Sequence, residues 1–353
     1  MELSRLCEEI QGPSAQAAAE ARAVWDGLGK PLGSLGLLEE AIIRAAAWSG
    51  RAAVDLSRRE LLVFCADNGV VARGVTQCGS EVTAAVARAL GRGESTVCHM
   101  ARQARCEVIP VDVGIRDFPG APGVLPRRVR NGTEDIGSGP AMSRAACLRA
   151  IETGAAVARE RCARGAHLLA LGEMGIGNTT TGSAVTAVLL DLPPEAVTGR
   201  GAGLSDAALA RKVETVRRAI AVNRPRREDP VDVVAKVGGL DLAAMCGAFL
   251  GGAACRVPVV VDGMISAAAA LCAVRLCPAA AGALLASHVS AEPAGGVLLR
   301  ALGLEAPIAA GMCLGEGGGA VALLPLLDLA LAVYRSGHTF GRLGIDAYVP
   351  QEE

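Results

Sequence analysis

The chain has 353 residues, a formal net charge of -1, and only 2% aromatics within a hydrophobic fraction of 51%. A chain of this length buries a large core, and its near-neutral balance supplies no field to draw in nucleic acid or an anionic membrane, so neither is expected as a partner. The apolar mass is mostly Ala, Leu, Val and Gly, side chains small enough for close helix-on-sheet packing rather than an aromatic-rich sandwich.

The start, Met1-Glu2-Leu3-Ser4-Arg5, has no apolar signal core. Residues 1–60 read as helices punctuated by Gly and Pro, expected to pack with the tail 335–353 as a small helical subdomain. From residue 61, short apolar runs at 61–66, 107–113, 167–171, 257–261, 282–287 and, less clearly, 307–312 alternate with helical stretches. The helices fall at 81–90, 142–163, 180–190, 206–223, 240–254, 266–277 and 320–334. Runs apolar on both faces that alternate with helices predict an α/β fold: a doubly wound, mostly parallel sheet flanked by helices. Residues 61–334 then form a Rossmann-like α/β catalytic domain, with ligands beyond the carboxyl ends of its strands. The Gly-, Pro- and charge-rich stretch 116–140 is long for a compact domain and predicts a lid or a mobile surface segment. The apolar stretch 320–334 falls about five residues short of a membrane span and carries Pro325 and Asp328, so it reads as a buried helix.

Twelve cysteines include no Cys-x-x-Cys, and His99, His167, His288 and His338 form no ligand pair. Cys65, Cys246 and Cys313 lie in apolar runs, where a thiol behaves as a small hydrophobe. Free thiols in a reducing cytoplasm follow, and no metal or cofactor is expected.

The run 167–171 enters Gly172-Glu173-Met174-Gly175-Ile176-Gly177-Asn178-Thr179-Thr180-Thr181 and then a helix. Glycines that turn tightly, outward N–H groups and a helix start suit an anion, although an ordinary capped helix explains the same letters. A second cluster, Thr198-Gly199-Arg200-Gly201-Ala202-Gly203-Leu204-Ser205-Asp206, leads to Lys212, one of three lysines in the chain and placed to reach an anion at a neighbouring loop. Asp262-Gly263 and His288-Val289-Ser290-Ala291-Glu292-Pro293 follow two further strands and converge on the same rim. Here His288 also reads as structural, and Glu292 as a first-turn helix charge. Glycine-flanked Glu316, in Leu314-Gly315-Glu316-Gly317-Gly318-Gly319, is either a helix-start charge or a partly desolvated general base.

Taken in order, these segments resemble the cobalamin lower-ligand phosphoribosyltransferase family, which acts on nicotinate nucleotide and dimethylbenzimidazole. Lys30-Pro31-Leu32-Gly33-Ser34-Leu35-Gly36, Ala66-Asp67-Asn68-Gly69, Glu173 to Thr180, Gly199 to Leu204, Gly238-Gly239-Leu240-Asp241, Val261-Asp262-Gly263, Ser287 to Pro293 and Leu314 to Gly317 carry it. The resemblance implies transfer of 5-phosphoribosyl from nicotinate mononucleotide to 5,6-dimethylbenzimidazole or a related base, giving α-ribazole 5′-phosphate and nicotinate. It implies Glu316 as the base and Glu173 near the ribose. Phosphate and ribose contacts carry over to Gly175, Gly177, Asn178, Thr179, Thr180, Gly201, Gly203, Lys212, Asp262, Gly263 and Ser290. Thr76, Glu81, Ala84, Met174 and Leu314 are implied for the acceptor pocket. No pyrophosphate departs, so no Mg²⁺ clamp is required. The family's usual assembly is a homodimer, and phenol-using relatives pair unlike subunits. The sequence departs where Asn68 replaces a common His, Thr76 a Ser and Ala84 a Gln, which leaves open another lower-ligand base such as adenine, a substituted benzimidazole or a phenol; a phenol-directed subunit and a non-catalytic nucleotide-binding subunit are the alternative readings.

Overall fold

The computed structural model describes residues 2–348. Its strands are β1 (Arg59–Ala66), β2 (Cys106–Gly114), β3 (Leu125–Pro126), β4 (Leu168–Met174), β5 (Val259–Val261) and β6 (Leu284–Ala286). They form one sheet in the order β3-β2-β1-β4-β5-β6, and every neighbouring pair is parallel. Arg59 is level with Cys106 on one side and with Leu168 on the other, so the three central strands start together. All eight residues of β1 are buried, as a strand covered on both faces requires. Its odd positions Leu61, Val63 and Cys65 enter one apolar layer and its even positions Leu62, Phe64 and Ala66 the other.

Winding reverses between β1 and β4, and in doubly wound sheets a crevice opens outside the carboxyl ends at that point. On one face the helices Arg144–Ala163 and Leu240–Ala254 pack almost backbone to backbone. A Cβ on Gly154 would lie 1.8 Å from the Ala244 carbonyl, and one on Gly247 1.8 Å from that of Ile151. Here the small-residue composition becomes geometry. Helices Leu37–Ser49, Glu81–Arg92, Thr96–Gln103 and Gly318–Tyr334 cover the opposite face. At the amino edge, buried Arg59 on β1 is bound by both carboxylate oxygens of Asp328 on the last of these.

Two expectations fail. Residues 307–312 form no strand: they make a single bridge, His288 to Ile308, with backbone bonds from Val289 N to Ile308 O (2.9 Å) and from Ala291 N to Met312 O (3.0 Å). Ile308 packs against the apolar layer of β1, but Ala309, Ala310 and Gly311 are exposed, so the segment has no continuous apolar run to bury as a strand. The stretch 116–140 is neither lid nor loose segment. It contains β3, buries Ile136, and is pinned behind β1 by Arg116 N to Asp67 Oδ2 (2.7 Å) and Thr133 N to Asp67 O (3.0 Å). Cys65 and Cys246 are buried as expected, whereas Cys313 is exposed.

The terminal segments meet through an antiparallel bridge between Leu28 and Thr339, and Trp25 also packs near Tyr334 at the end of the helix Gly318–Tyr334, the ring centroids 5.1 Å apart. Trp25, Ile42 and Ile43 share the apolar layer of Leu61 and Val63. Of the segments expected to form a helical subdomain, Met1 and residues 349–353 lie outside the described residues. Among those described, no helix is long and apolar enough to cross a membrane.

Candidate active site

A cleft of about 280 Å³ opens at the carboxyl edge beside β4. β4 delivers Glu173 and Met174 to it, and the next turn delivers the amino end of the helix Asn178–Leu190. Gly177 precedes that helix at φ +92°, a conformation costly for any side chain.

One end of the cleft gathers groups that suit an anion. Lys212 is fully buried, and its Nζ donates to Thr179 Oγ1 at 2.8 Å and to the Gly199 carbonyl at 2.9 Å. Burial pulls the ammonium down to about 8, and Glu292 opposes the fall. Glu292 accepts from Gly201 N at 2.9 Å through one oxygen, and its own N–H meets Ser290 Oγ at 3.3 Å. Thr179 and Gly201 line the cleft, and both also line an adjoining hollow of about 90 Å³ that takes in Thr76, Gly177 and Lys212. A buried cation, a hydroxyl and a helix amino end suit a phosphate.

Carboxyls gather beyond it. Glu173 is buried and accepts from the Asn178 side-chain amide. Burial, followed by the charges of Asp241 and Asp262, pushes its carboxyl well above the usual range, while Asn178 pulls back. Asp262 follows β5 and accepts from Ala320 N at 2.8 Å, capping the helix Gly318–Tyr334. Its carboxyl is also raised by burial, against the pull of His288. Glu316 is half-buried in a turn in which Gly315, Glu316 and Gly317 all have positive φ, +78°, +57° and +87°. A non-glycine residue pays roughly 1–2 kcal/mol in that region, and such strain collects at functional positions. The turn is held by Glu316 N to the Glu173 carbonyl at 3.2 Å, and Glu316 Oε2 accepts from Val97 N at 3.4 Å. Gly172 on β4 makes room for it, since a Cβ there would lie 2.4 Å from Gly317 N.

The apolar wall of the cleft is made by Val86, Met174, Ile176, Met264, Met312 and Leu314. The structure thus brings Glu173, Met174, Gly175, Asn178, Thr179, Gly201, Asp262, Gly263, Ser290, Leu314 and Glu316 into one cleft. Gly177, Lys212 and Thr76 face the adjoining hollow, so Thr76 stands beside the anion end rather than the apolar wall. Thr180, Gly203, Glu81 and Ala84 line neither space. Thr180 is fully buried within its helix, and Glu81 is exposed at the start of the helix Glu81–Arg92. Ala84 packs into the apolar layer of that helix, which presents Val86 to the cleft instead. Sequence reasoning missed Val86, Met264, Ile265, Met312 and Asp241. Met264 and Ile265 directly follow Asp262-Gly263, and Asp241 is the lone charge in an apolar helix, so those three left a signal. Val86 left none.

A family model described as phosphoribosyltransferase matches residues 10–345. The chain belongs to that family. It is 45% identical over 326 residues to the nicotinate-nucleotide–dimethylbenzimidazole phosphoribosyltransferase of Acetivibrio thermocellus, a match that spans 92% of this chain and 93% of that one. The enzyme of the same name from Clostridium acetobutylicum is 37% identical over 350 residues, 99% of each chain. The crystal structure of CobT from Thermus thermophilus superposes with a TM-score of 0.89 at 42% identity, covering 94% of this chain and 100% of that one. The segments that carry the resemblance at Glu173 to Thr180, Asp262-Gly263, Ser287 to Pro293 and Leu314 to Gly317 all contribute to the cleft.

Proposed function

We propose that the protein transfers the 5-phosphoribosyl group of nicotinate mononucleotide to 5,6-dimethylbenzimidazole, releasing nicotinate and forming α-ribazole 5′-phosphate. The carrying observation is that Thr179 and Gly201, which neighbour buried Lys212, line the same cleft as Glu173, Glu316 and the apolar wall. The phosphate sits at the Lys212 end, where remote binding energy fixes the ribose. Glu173 and Asp262 face the ribose, where their carboxyls hold its hydroxyls and turn their oxygen dipoles toward the cationic character that develops at C1′. The flat acceptor lies on the apolar wall with its N–H toward Glu316. As the benzimidazole nitrogen bonds to C1′ from the face opposite nicotinate, Glu316 takes the N–H proton. The C1′–pyridinium bond breaks, its electron pair stays on the pyridine nitrogen, and the leaving group needs no acid.

The names of the relatives favour this reading over a phenol-directed or non-catalytic subunit. We further propose a cytoplasmic homodimer in which the partner covers the open lip, supported by Leu314 and Val289, 45% and 38% exposed at that edge. The test is incubation with nicotinate mononucleotide and, separately, dimethylbenzimidazole, adenine and p-cresol, with the ribotide read by mass. The benzimidazole product is expected to dominate; a p-cresol product alone, or none, defeats the proposal.

A further inference from the structure

We propose that Asp241 is a positioning residue for this transfer: it holds the Asn178 amide, which in turn fixes the Glu173 carboxyl at the floor of the cleft. Asp241 is fully buried and is the only charged side chain in the helix Leu240–Ala254. A carboxyl in such a place is costly unless donors surround it. Two do, Leu242 N to Oδ1 at 2.9 Å and Asn68 Nδ2 to Oδ2 at 3.4 Å, and the Asn178 side chain stands near enough to help hold the Asp241 carboxyl down. The Asn178 amide also donates to Glu173 Oε2. An asparagine amide carries two N–H groups, so Asn178 can bridge two buried carboxyls, one facing the cleft and one behind it. The turn between Glu173 and Asn178 is wrapped on the same anchor: a Cβ on Gly175 would come within 2.6 Å of Asp241 Oδ2.

A helix-start carboxylate stabilised by the helix dipole is the plain alternative, and it predicts effects on folding alone. The bridge predicts an electrostatic effect on Glu173 as well. The groups facing Glu173 are Asp241 from the helix Leu240–Ala254, Asp262 with His288 beside it, Glu316 from its turn, and Cys65 from β1 with Asp112 behind it. After burial, Asp241 does most to raise the Glu173 carboxyl. Removing that charge therefore moves the titration of Glu173 to lower pH.

The inference rests on the transfer reaction above, so the experiment has one arm that uses the reaction and one that does not. In the first, Asp241→Asn is expected to lower kcat by about 30- to 100-fold with the nicotinate mononucleotide KM within about threefold, the signature of lost orientation rather than lost binding. Combined with Glu173→Gln it should add no more than about twofold, because the two side chains act as one unit. In the second, ligand-free protein labelled with carboxyl-¹³C glutamate is titrated by NMR, the Glu173 signal being the one absent from Glu173→Gln. Its midpoint should fall in Asp241→Asn; Asp241→Ser repeats the measurement if the asparagine variant does not fold. Wild-type kcat in Asp241→Asn, or an unmoved Glu173 titration, overturns the proposal. A wild-type protein that makes no ribotide overturns the reaction instead, while the NMR arm still decides the role of Asp241.

Discussion

Gly172→Ala tests whether the placement of Glu316, and not its presence alone, sets the rate. Gly172 lies within β4, level with Val63 of β1. An added Cβ would stand 2.4 Å from Gly317 N and 2.5 Å from the Glu316 carbonyl carbon. Ordinary contact begins near 3.4 Å, so one side must retreat by about 1 Å. β4 is paired to β1 on one side and β5 on the other, whereas the turn hangs on it through the 3.2 Å bond from Glu316 N to the Glu173 carbonyl. The turn therefore moves and carries the carboxylate with it. A misplacement of about 1 Å costs on the order of 100-fold in rate, and overpacking costs roughly 1–3 kcal/mol in stability. Single-turnover formation of the ribotide, with nucleotide binding followed by calorimetry, should show kcat down about 100-fold and affinity nearly unchanged. A folded Gly172→Ala protein with kcat within about twofold of wild type would refute the requirement for this close approach.

Glu316→Ala should abolish turnover and leave nicotinate mononucleotide binding nearly intact; wild-type-like activity removes Glu316 as the base. Lys212→Ala should weaken nucleotide binding by about 10- to 100-fold, the worth of a charge-assisted hydrogen bond of roughly 1.5–3 kcal/mol, and an unchanged KM takes Lys212 out of the phosphate site. Because burial lowers the Lys212 ammonium to about 8 in the free protein, kcat/KM should decline as pH rises past that value and the cation is lost. A flat profile to pH ~10, the ordinary lysine range, contradicts the assignment. Asp328→Ala leaves the guanidinium of Arg59, only 3% exposed, without its carboxylate, at a cost of roughly 3–5 kcal/mol. The readout is a lower denaturation midpoint with kcat unchanged below it; an unmoved midpoint argues against the pair as a stabiliser.

The parallel sheet was readable because β1, β2 and β4 carry short, nearly continuous apolar runs bounded by polar or glycine-rich turns, as strands buried on both faces do. Residues 307–312 carry similar letters, but strand formation there depended on a neighbour the sequence does not announce. β3, two residues long, is too short to have a pattern. The helix Pro230–Val237 was legible in principle from Asp229, whose side chain caps it, and Pro230 at its first position. Along the site, the gathering of Thr179, Gly201 and Lys212 was legible because glycines, threonines and a rare lysine have a local chemical reason to stand together. The apolar wall was not. Whether Ala84 or Val86 faces the cleft depends on how the helix Glu81–Arg92 is rotated against the sheet, and its own residues leave that rotation open. The buried Asp241 is the intermediate case, a charge whose oddity shows in one dimension and whose purpose appears only in three.

The lip formed by residues 309–314 has a consequence for where the proposed acceptor side can change. The donor side is built from side chains that lock one another, as Lys212 locks Thr179 and Asn178 locks Glu173, so exchange at one position disturbs its partner. The lip answers to few such ties: its exposed Cys313 and Leu314 belong to no sheet ladder. On the proposed reading, exchange at Leu314 would alter the wall that meets the incoming ring and leave the bonds around Lys212 and Glu173 in place.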